Sequence, residues 1–278
     1  MNTKTKSRIC WTIAWILGIV WTLIALVPFI FMVINSMKGQ FEMLTKGVFS
    51  LPEAFNLDNY KAAFDGHITH YFLNSAVVLI LSLSILLFTA ACASYPLSRF
   101  HFKMASPIYS LVVACMAIPV HITLIPIFKM STELGSYDSI WALIGPYIAM
   151  NIPISVFILT SFMKSIPGEI EEAAEIDGCN RFSMFFRVIL PLSKPGLATL
   201  AIYNGVNIWN EFIFAYTLTK SAENQTLPIA VSQFKGEYAM NTPMILAVLT
   251  LSIIPMIILF IIMQDKLVKG MTAGAVKG

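Results

Sequence analysis

Residues 71–98 read YFLNSAVVLILSLSILLFTAACASYPLS, twenty-eight consecutive positions without an aspartate, glutamate, lysine or arginine. A hydrocarbon core of about 30 Å is crossed by about 20 helical residues, so the stretch predicts a transmembrane helix. Outward from it in both directions lie five more such stretches, 9–37, 104–128, 139–163, 196–219 and 241–264, with Glu211 as their one acidic or basic interruption. Composition agrees: 57% of the 278 residues are apolar and 12% are charged, against about 45–50% and about 25% in soluble domains. The predicted fold class is therefore all-α, a polytopic membrane protein with six transmembrane helices. No repeat of solenoid length and no low-complexity tract divides it, so residues 1–278 read as a single transmembrane domain.

The same inventory excludes several function classes. The net charge is +3 with no Lys/Arg-rich run, which argues against a nucleic-acid partner. Cys10, Cys92, Cys115 and Cys179 form no CxxC pair, so neither a disulfide framework nor a structural zinc site is expected. No HExxH or GxSxG sequence occurs, and the histidines at 67, 70, 101 and 121 are scattered. Enzyme, metal and cofactor readings therefore find no support. His67 and His70 share a loop and read as solvated, His121 reads as a packing or kink residue, and Asn151, near Pro146 and Pro153, as a donor to local backbone.

Six spans place both termini on one side, and the Lys/Arg distribution selects it. The side carrying the termini holds twelve of the eighteen Lys/Arg and the other side six, which predicts a cell-membrane protein with both ends in the cytosol. Lys4, Lys6 and Arg8 precede the first span as in a signal anchor, and Trp11, Tyr71 and Trp141 suit the interfacial belt. On the outer side, Leu57, Tyr60 and Phe64 at i, i+3, i+7 predict a short surface helix.

The longest inner loop, 164–195, reads KSIPGEIEEAAEIDGCNRFSMFFRVILPLSKP. Pro167 suits a helix's first turn, Glu169, Glu171 and Glu172 follow where the helix dipole favours negative charge, and Gly178 suits its left-handed end. Ile166, Ile170, Ala173 and Ala174 fall on one face, with Glu171, Glu172 and Glu175 as an acidic stripe on another. A second helix starts at the N-cap type Asn180 and is expected to stop before Pro191. Its Phe182, Phe185, Phe186, Ile189 and Leu190 form an apolar seam. Helices that rest on lipid usually carry Lys/Arg on the polar face, so the acidic stripe points to protein docking.

These residues carry a resemblance. Glu172-Ala173-Ala174, three residues, Gly178, nine residues and Val188-Ile189-Leu190-Pro191 resemble the EAA motif of membrane permeases in binding-protein-dependent ABC importers, with Val188 where isoleucine is usual. Trp209-Asn210-Glu211-Phe212 and the tail 270–278 are similar to the carbohydrate branch of that family. The resemblance implies a cytosolic coupling helix seated in a cleft of an ATPase subunit, with Glu172, Ala173, Ala174, Asp177, Gly178 and Pro191 as coupling residues. It also implies the partners: a second related permease, two ATP-binding subunits, an extracytoplasmic sugar-binding protein and an oligosaccharide substrate. Independently of it, no GxxxxGK[ST] sequence exists to cradle a nucleotide, so energy has to come from a partner or from an ion gradient. An autonomous ion-coupled carrier is the rival reading. Such carriers bury several ionisable groups along their pathway, whereas only Glu211 lies well inside a span.

In the fifth span, Tyr203, Asn204, Asn207, Asn210 and Glu211 occupy one helical stripe, interleaved with Trp209. Unpaired polar groups facing hydrocarbon cost several kcal/mol each, so the stripe is expected to face either a substrate pathway or a neighbouring helix as interhelical glue. Both remain open at this stage.

Overall fold

The computed structural model describes residues 3–65, 68–237 and 241–275, and every regular element among them is helical. The chain forms two compact units. One holds α1 (Thr3–Ser36), α2 (Gln40–Lys46), α3 (Asp58–Asp65) and the first part of α14 (Thr242–Ala275), through Ile254. The other runs from Thr69 to Ala230 and takes in α14 from Pro255 onward.

In the first unit the predicted surface helix is present as α3, and its Tyr60 hydroxyl meets Ser36 Oγ at 2.6 Å. Asn59 Nδ2 donates to the carbonyls of Ser36 and Lys38, each at 2.8 Å. Lys38 is fully buried. Its amino group donates to Asn35 Oδ1 at 2.9 Å, Ser50 Oγ at 3.1 Å and the Gly47 carbonyl at 3.3 Å. A buried amine is tolerated only when its hydrogens are matched by acceptors, and here the end of α1 and the turn after α2 supply them.

Among the described residues, four helical stretches are continuous, long and apolar enough to cross a membrane: Trp11–Ser36, Ile68–Arg99, Trp141–Lys164 and Thr242–Ile262. They lie in α1, α4 (Ile68–Arg99), α7 (Trp141–Lys164) and α14. The third expected span is bent by 89° between α5 (Ala105–Cys115) and Val120–Glu133, whose later part is α6 (Leu124–Glu133). The cause is local: the turn at Cys115 tightens, and Pro119 has no N–H to continue it while disfavouring helical geometry at Ile118.

The fifth expected span departs further. Asn180 caps α9 (Arg181–Met184), its Oδ1 accepting from Ser183 N at 2.9 Å as its residue type predicted. Helix then continues past Pro191, through a π-helical turn at Phe185–Ile189 into α10 (Leu190–Leu192). The widened turn makes room for a proline ring that would clash with an ordinary α-helical carbonyl four residues back. At Ser193, whose Oγ turns back to the Ile189 carbonyl at 2.7 Å, the path bends by 67° into α11 (Lys194–Trp209). That helix ends at Trp209, and α12 (Ile213–Leu218) follows as a separate piece. The expected continuous helix over 196–219 is thus two helices.

Packing inside the second unit includes two apolar clusters among the described residues. One joins Leu86, Leu143, Tyr147, Phe214 and Leu218; the other joins Ala91, Tyr95, Leu159, Met163, Phe185, Ile189 and Leu200. Lipid tails are as apolar as leucine, so association between spans depends on close fit and polar bonds. Gly196 shows the fit, because a methyl group there would stand 2.9 Å from the Phe162 ring.

Candidate functional site

The loop 164–195 builds α8 (Glu169–Ile176) directly after α7. Its end is a left-handed glycine cap: Gly178 has φ +84°, Cys179 N donates to the Ala174 carbonyl at 2.9 Å and Gly178 N to that of Glu175 at 3.0 Å. A methyl group at Gly178 would meet nothing within 4 Å, so glycine is demanded there by backbone conformation and not by space.

The helix divides its residues differently from the expected stripes. Ala174 and Cys179 pack on the second apolar cluster, and Ile166 is buried. Ala173, expected on the apolar face, is exposed together with Glu172, Glu175, Ile176 and Asp177. Glu171 leaves the acidic stripe and turns inward, where Arg99 Nε, at the end of α4, lies 2.5 Å from its Oε1. Arg99 Nη2 also donates to the Ile166 carbonyl at 3.0 Å. Burial pushes the Glu171 carboxyl up from its ordinary range, and the Arg99 guanidinium pulls the other way. In the seam after Asn180, Phe185 and Ile189 are buried and Leu190 packs beside them, whereas Phe182 and Phe186 stay exposed. Pro191, exposed, lies within α10.

The fifth-span residues separate into two groups. Tyr203, Asn207 and Asn210 are exposed; Asn204 and Trp209 are buried. Asn204 Nδ2 donates to Ser155 Oγ of α7 at 2.9 Å, and Trp209 meets Phe72 edge-on with ring centres 5.6 Å apart. Glu211 sits at the break between α11 and α12. Its carboxylate accepts from Tyr147 Oη at 2.6 Å, Phe214 N at 2.9 Å and Ala215 N at 3.1 Å. It therefore supplies acceptors for the opening amides of α12, which lack intrahelical partners. Asn151 donates to the Tyr147 carbonyl at 2.8 Å and Ser155 to that of Asn151 at 2.7 Å. Polar contacts thus tie α7 to the fifth-span segments at two levels.

One organising residue escaped the sequence reading. Asp138, before α7, has φ 60°, and its Oδ1 accepts from the amides of Lys220 and Ser221, each at 2.8 Å. Its Oδ2 accepts from the Ser221 hydroxyl, and its carbonyl from Asn224 Nδ2 at 2.7 Å. These bonds hold its carboxyl down at about 2. Asn74 fastens the same strap from α4 by donating to the carbonyls of Glu223 and Gln225 at 2.8 and 2.9 Å. The only advance signal was an aspartate directly preceding an apolar run.

His121 is exposed in the turn between α5 and α6, and His70 Nε2 lies 2.6 Å from the Glu223 carbonyl. His67 and residues 276–278 of the tail lie outside the described residues. Among the described residues, no group of three or more His, Cys, Asp or Glu side chains could hold a metal ion.

Residues 87–273 match the family of binding-protein-dependent transport system inner membrane components. The chain is 46% identical to a putative ABC transporter permease protein, ORF2, of Caldicellulosiruptor sp., over 93% of this chain and 94% of that one. It is 37% identical to the sulfoquinovosyl glycerol transport system permease protein SmoH of Agrobacterium fabrum, over 91% and 89% of the two chains. A chain from the crystal structure of a bacterial ABC transporter importing the polysaccharide alginate shares the fold. Its TM-score is 0.77 at 22% identity, covering 95% of this chain and 98% of that one.

Proposed function

This chain belongs to the family of binding-protein-dependent transport system inner membrane components, and from that membership we propose that it is half of the membrane pathway of an importer for a sugar or glycoside. It is a multi-pass transport permease of the inner membrane and not an enzyme; ATP hydrolysis belongs to separate subunits. The glycoside cargo named for the Agrobacterium relative supports the substrate class. The partners in this reading are a second related permease, two ATP-binding subunits and an extracytoplasmic binding protein that delivers the sugar. Both termini lie in the cytosol, as the excess of Lys/Arg on their side supports.

The observation that carries the coupling role is the exposed face of α8. Glu172, Ala173 and Asp177 project from a short helix whose opposite side is fixed on the apolar cluster and whose end is locked by Gly178. Small Ala173 admits close approach of a partner groove, and an acid there pairs well with arginine. Within the pathway, the exposed Tyr203, Asn207 and Asn210 offer hydroxyl and amide groups to sugar hydroxyls. Asn204, Trp209 and Glu211 back them by holding α11 and α12 in place.

The test is co-purification through a tag on this chain. Glu172→Lys is expected to lose the ATP-binding subunits while membrane insertion persists, and Glu133→Lys, before α7, to retain them. Equal recovery of those subunits from both variants rejects the coupling face. Asn207→Ala is expected to raise the sugar concentration at half-maximal uptake, and an unchanged value removes Asn207 from the pathway.

A further inference from the structure

The end of α4 is fastened to the docking helix by one side chain. Arg99 reaches α8 through Glu171 at 2.5 Å and the connection before α8 through the Ile166 carbonyl at 3.0 Å. Ion pairs on open surface contribute little because water screens them. This pair is not open, with the side chains of Arg99 and Glu171 13% and 18% exposed. Of the two contacts, that of Nη2 with the Ile166 carbonyl is a hydrogen bond that sets the orientation of the planar guanidinium, and that of Nε with Glu171 Oε1 is a close ion pair without hydrogen-bond alignment. Both partners sit on the segment that leaves α7, one on each side of Pro167. Covalent continuity already joins α8 to α7, and the second apolar cluster joins the loop to α11 through Leu200. Leu87, Ala91 and Tyr95 of α4 also pack on that cluster, but these are apolar contacts that permit sliding, and the hydrogen bonds of Ser94 and Ser98 reach α7 and not α8.

We propose that Arg99 is a positioning residue of the transport cycle: by gripping Glu171 and the Ile166 carbonyl together, it makes the inner end of α4 travel with α8 as one body when the ATP-binding subunits move that helix. The inference rests on the coupling role proposed above and adds to it the route by which displacement reaches a span that α8 does not adjoin in sequence. Glu172 faces the motor, Glu171 faces the span, and the two neighbouring carboxylates divide the work.

The experiment uses the whole transporter, purified with its own partner subunits and reconstituted in nanodiscs. The four native cysteines are replaced, and spin labels are placed at Ala93→Cys on α4 and Glu169→Cys on α8, both exposed positions. Distances are measured by electron–electron double resonance without nucleotide and with ATP plus vanadate. With Arg99 present, the distance is expected to shift by less than about 2 Å between the two conditions. In Arg99→Ala it is expected to broaden and shift by about one helical turn, 5 Å, the scale of element-past-element motion. Arg99→Glu combined with Glu171→Arg recreates the ion pair, though not the bond to the Ile166 carbonyl, and is expected to bring the shift below that of either single change. Glu171→Gln, which keeps shape and removes charge, gives an intermediate shift and guards against misfolding of the arginine variants. A shift with Arg99 intact as large as that in Arg99→Ala overturns the proposal, as does a double variant no better than its singles. Failure of the unaltered chain to co-purify any ATP-binding subunit instead refutes the proposed function, a result separate from either.

Discussion

At the Trp141 end of α7, the strap 219–226 is fastened by directed hydrogen bonds, whereas at the Lys164 end α8 rests on apolar contacts and the Arg99–Glu171 pair. Asp138 alone accepts two amides, a hydroxyl and an amide side chain from the strap, and Asn74 adds two more bonds from α4. Hydrogen bonds tolerate little displacement, while apolar contacts of a short helix tolerate more. In the coupling role proposed for α8, the difference separates the two ends: the strapped end holds position, and the α8 end, with its exposed acidic face, is the one that receives motion.

The largest break in that contrast is expected at Glu211, which organises the helix break nearest the strapped end. Glu211→Leu strands the Phe214 and Ala215 amides and the Tyr147 hydroxyl, a loss of about 3 kcal/mol at ordinary values for unsatisfied buried groups. Denaturant unfolding in nanodiscs, followed by tryptophan fluorescence, reads it; Glu211→Gln, which keeps one acceptor, is expected to lose about a third as much. Next comes Gly178→Ala, expected to destabilise the end of α8 by about 1 kcal/mol because alanine is forced into left-handed geometry. Gly178→Asn is expected to lose less, since asparagine visits that region more readily, and hydrogen exchange of the Cys179 amide distinguishes the two. The smallest effect is expected at Asp138. Asp138→Asn leaves global unfolding unchanged and speeds exchange of the Lys220 and Ser221 amides. Because the folded carboxyl is depressed from 3.8 to about 2, its hold is complete above about pH 4 and disappears as pH falls through about 2. Exchange protection at those two amides should follow the same window.

Much of this molecule was legible from hydropathy alone. Uncharged runs located the spans because the bilayer imposes length and apolarity together, and Pro167, Asn180 and Gly178 framed the inner loop because each meets a specific backbone demand. What periodicity missed has a common cause: it treats a span as one straight helix whose stripes persist. Helices end inside two runs, near Pro119 and at Asn210, so Glu211 falls outside α11; within α11 itself Asn204 turns into the packing against α7 while Tyr203 and Asn207 stay exposed. Likewise Glu171 and Glu172 are equivalent in sequence, and only Arg99, far away in the chain, turns one inward. Asp138 was invisible because its partners lie on a loop more than eighty residues later.

The amine of Lys38 carries a practical consequence. Sealed from solvent and saturated with oxygen acceptors, it is out of reach of amine-directed acylating reagents as long as the turn after α2 stays closed. Its modification rate, read by mass spectrometry against the exposed Lys61, would therefore time the opening of that small module without any introduced probe.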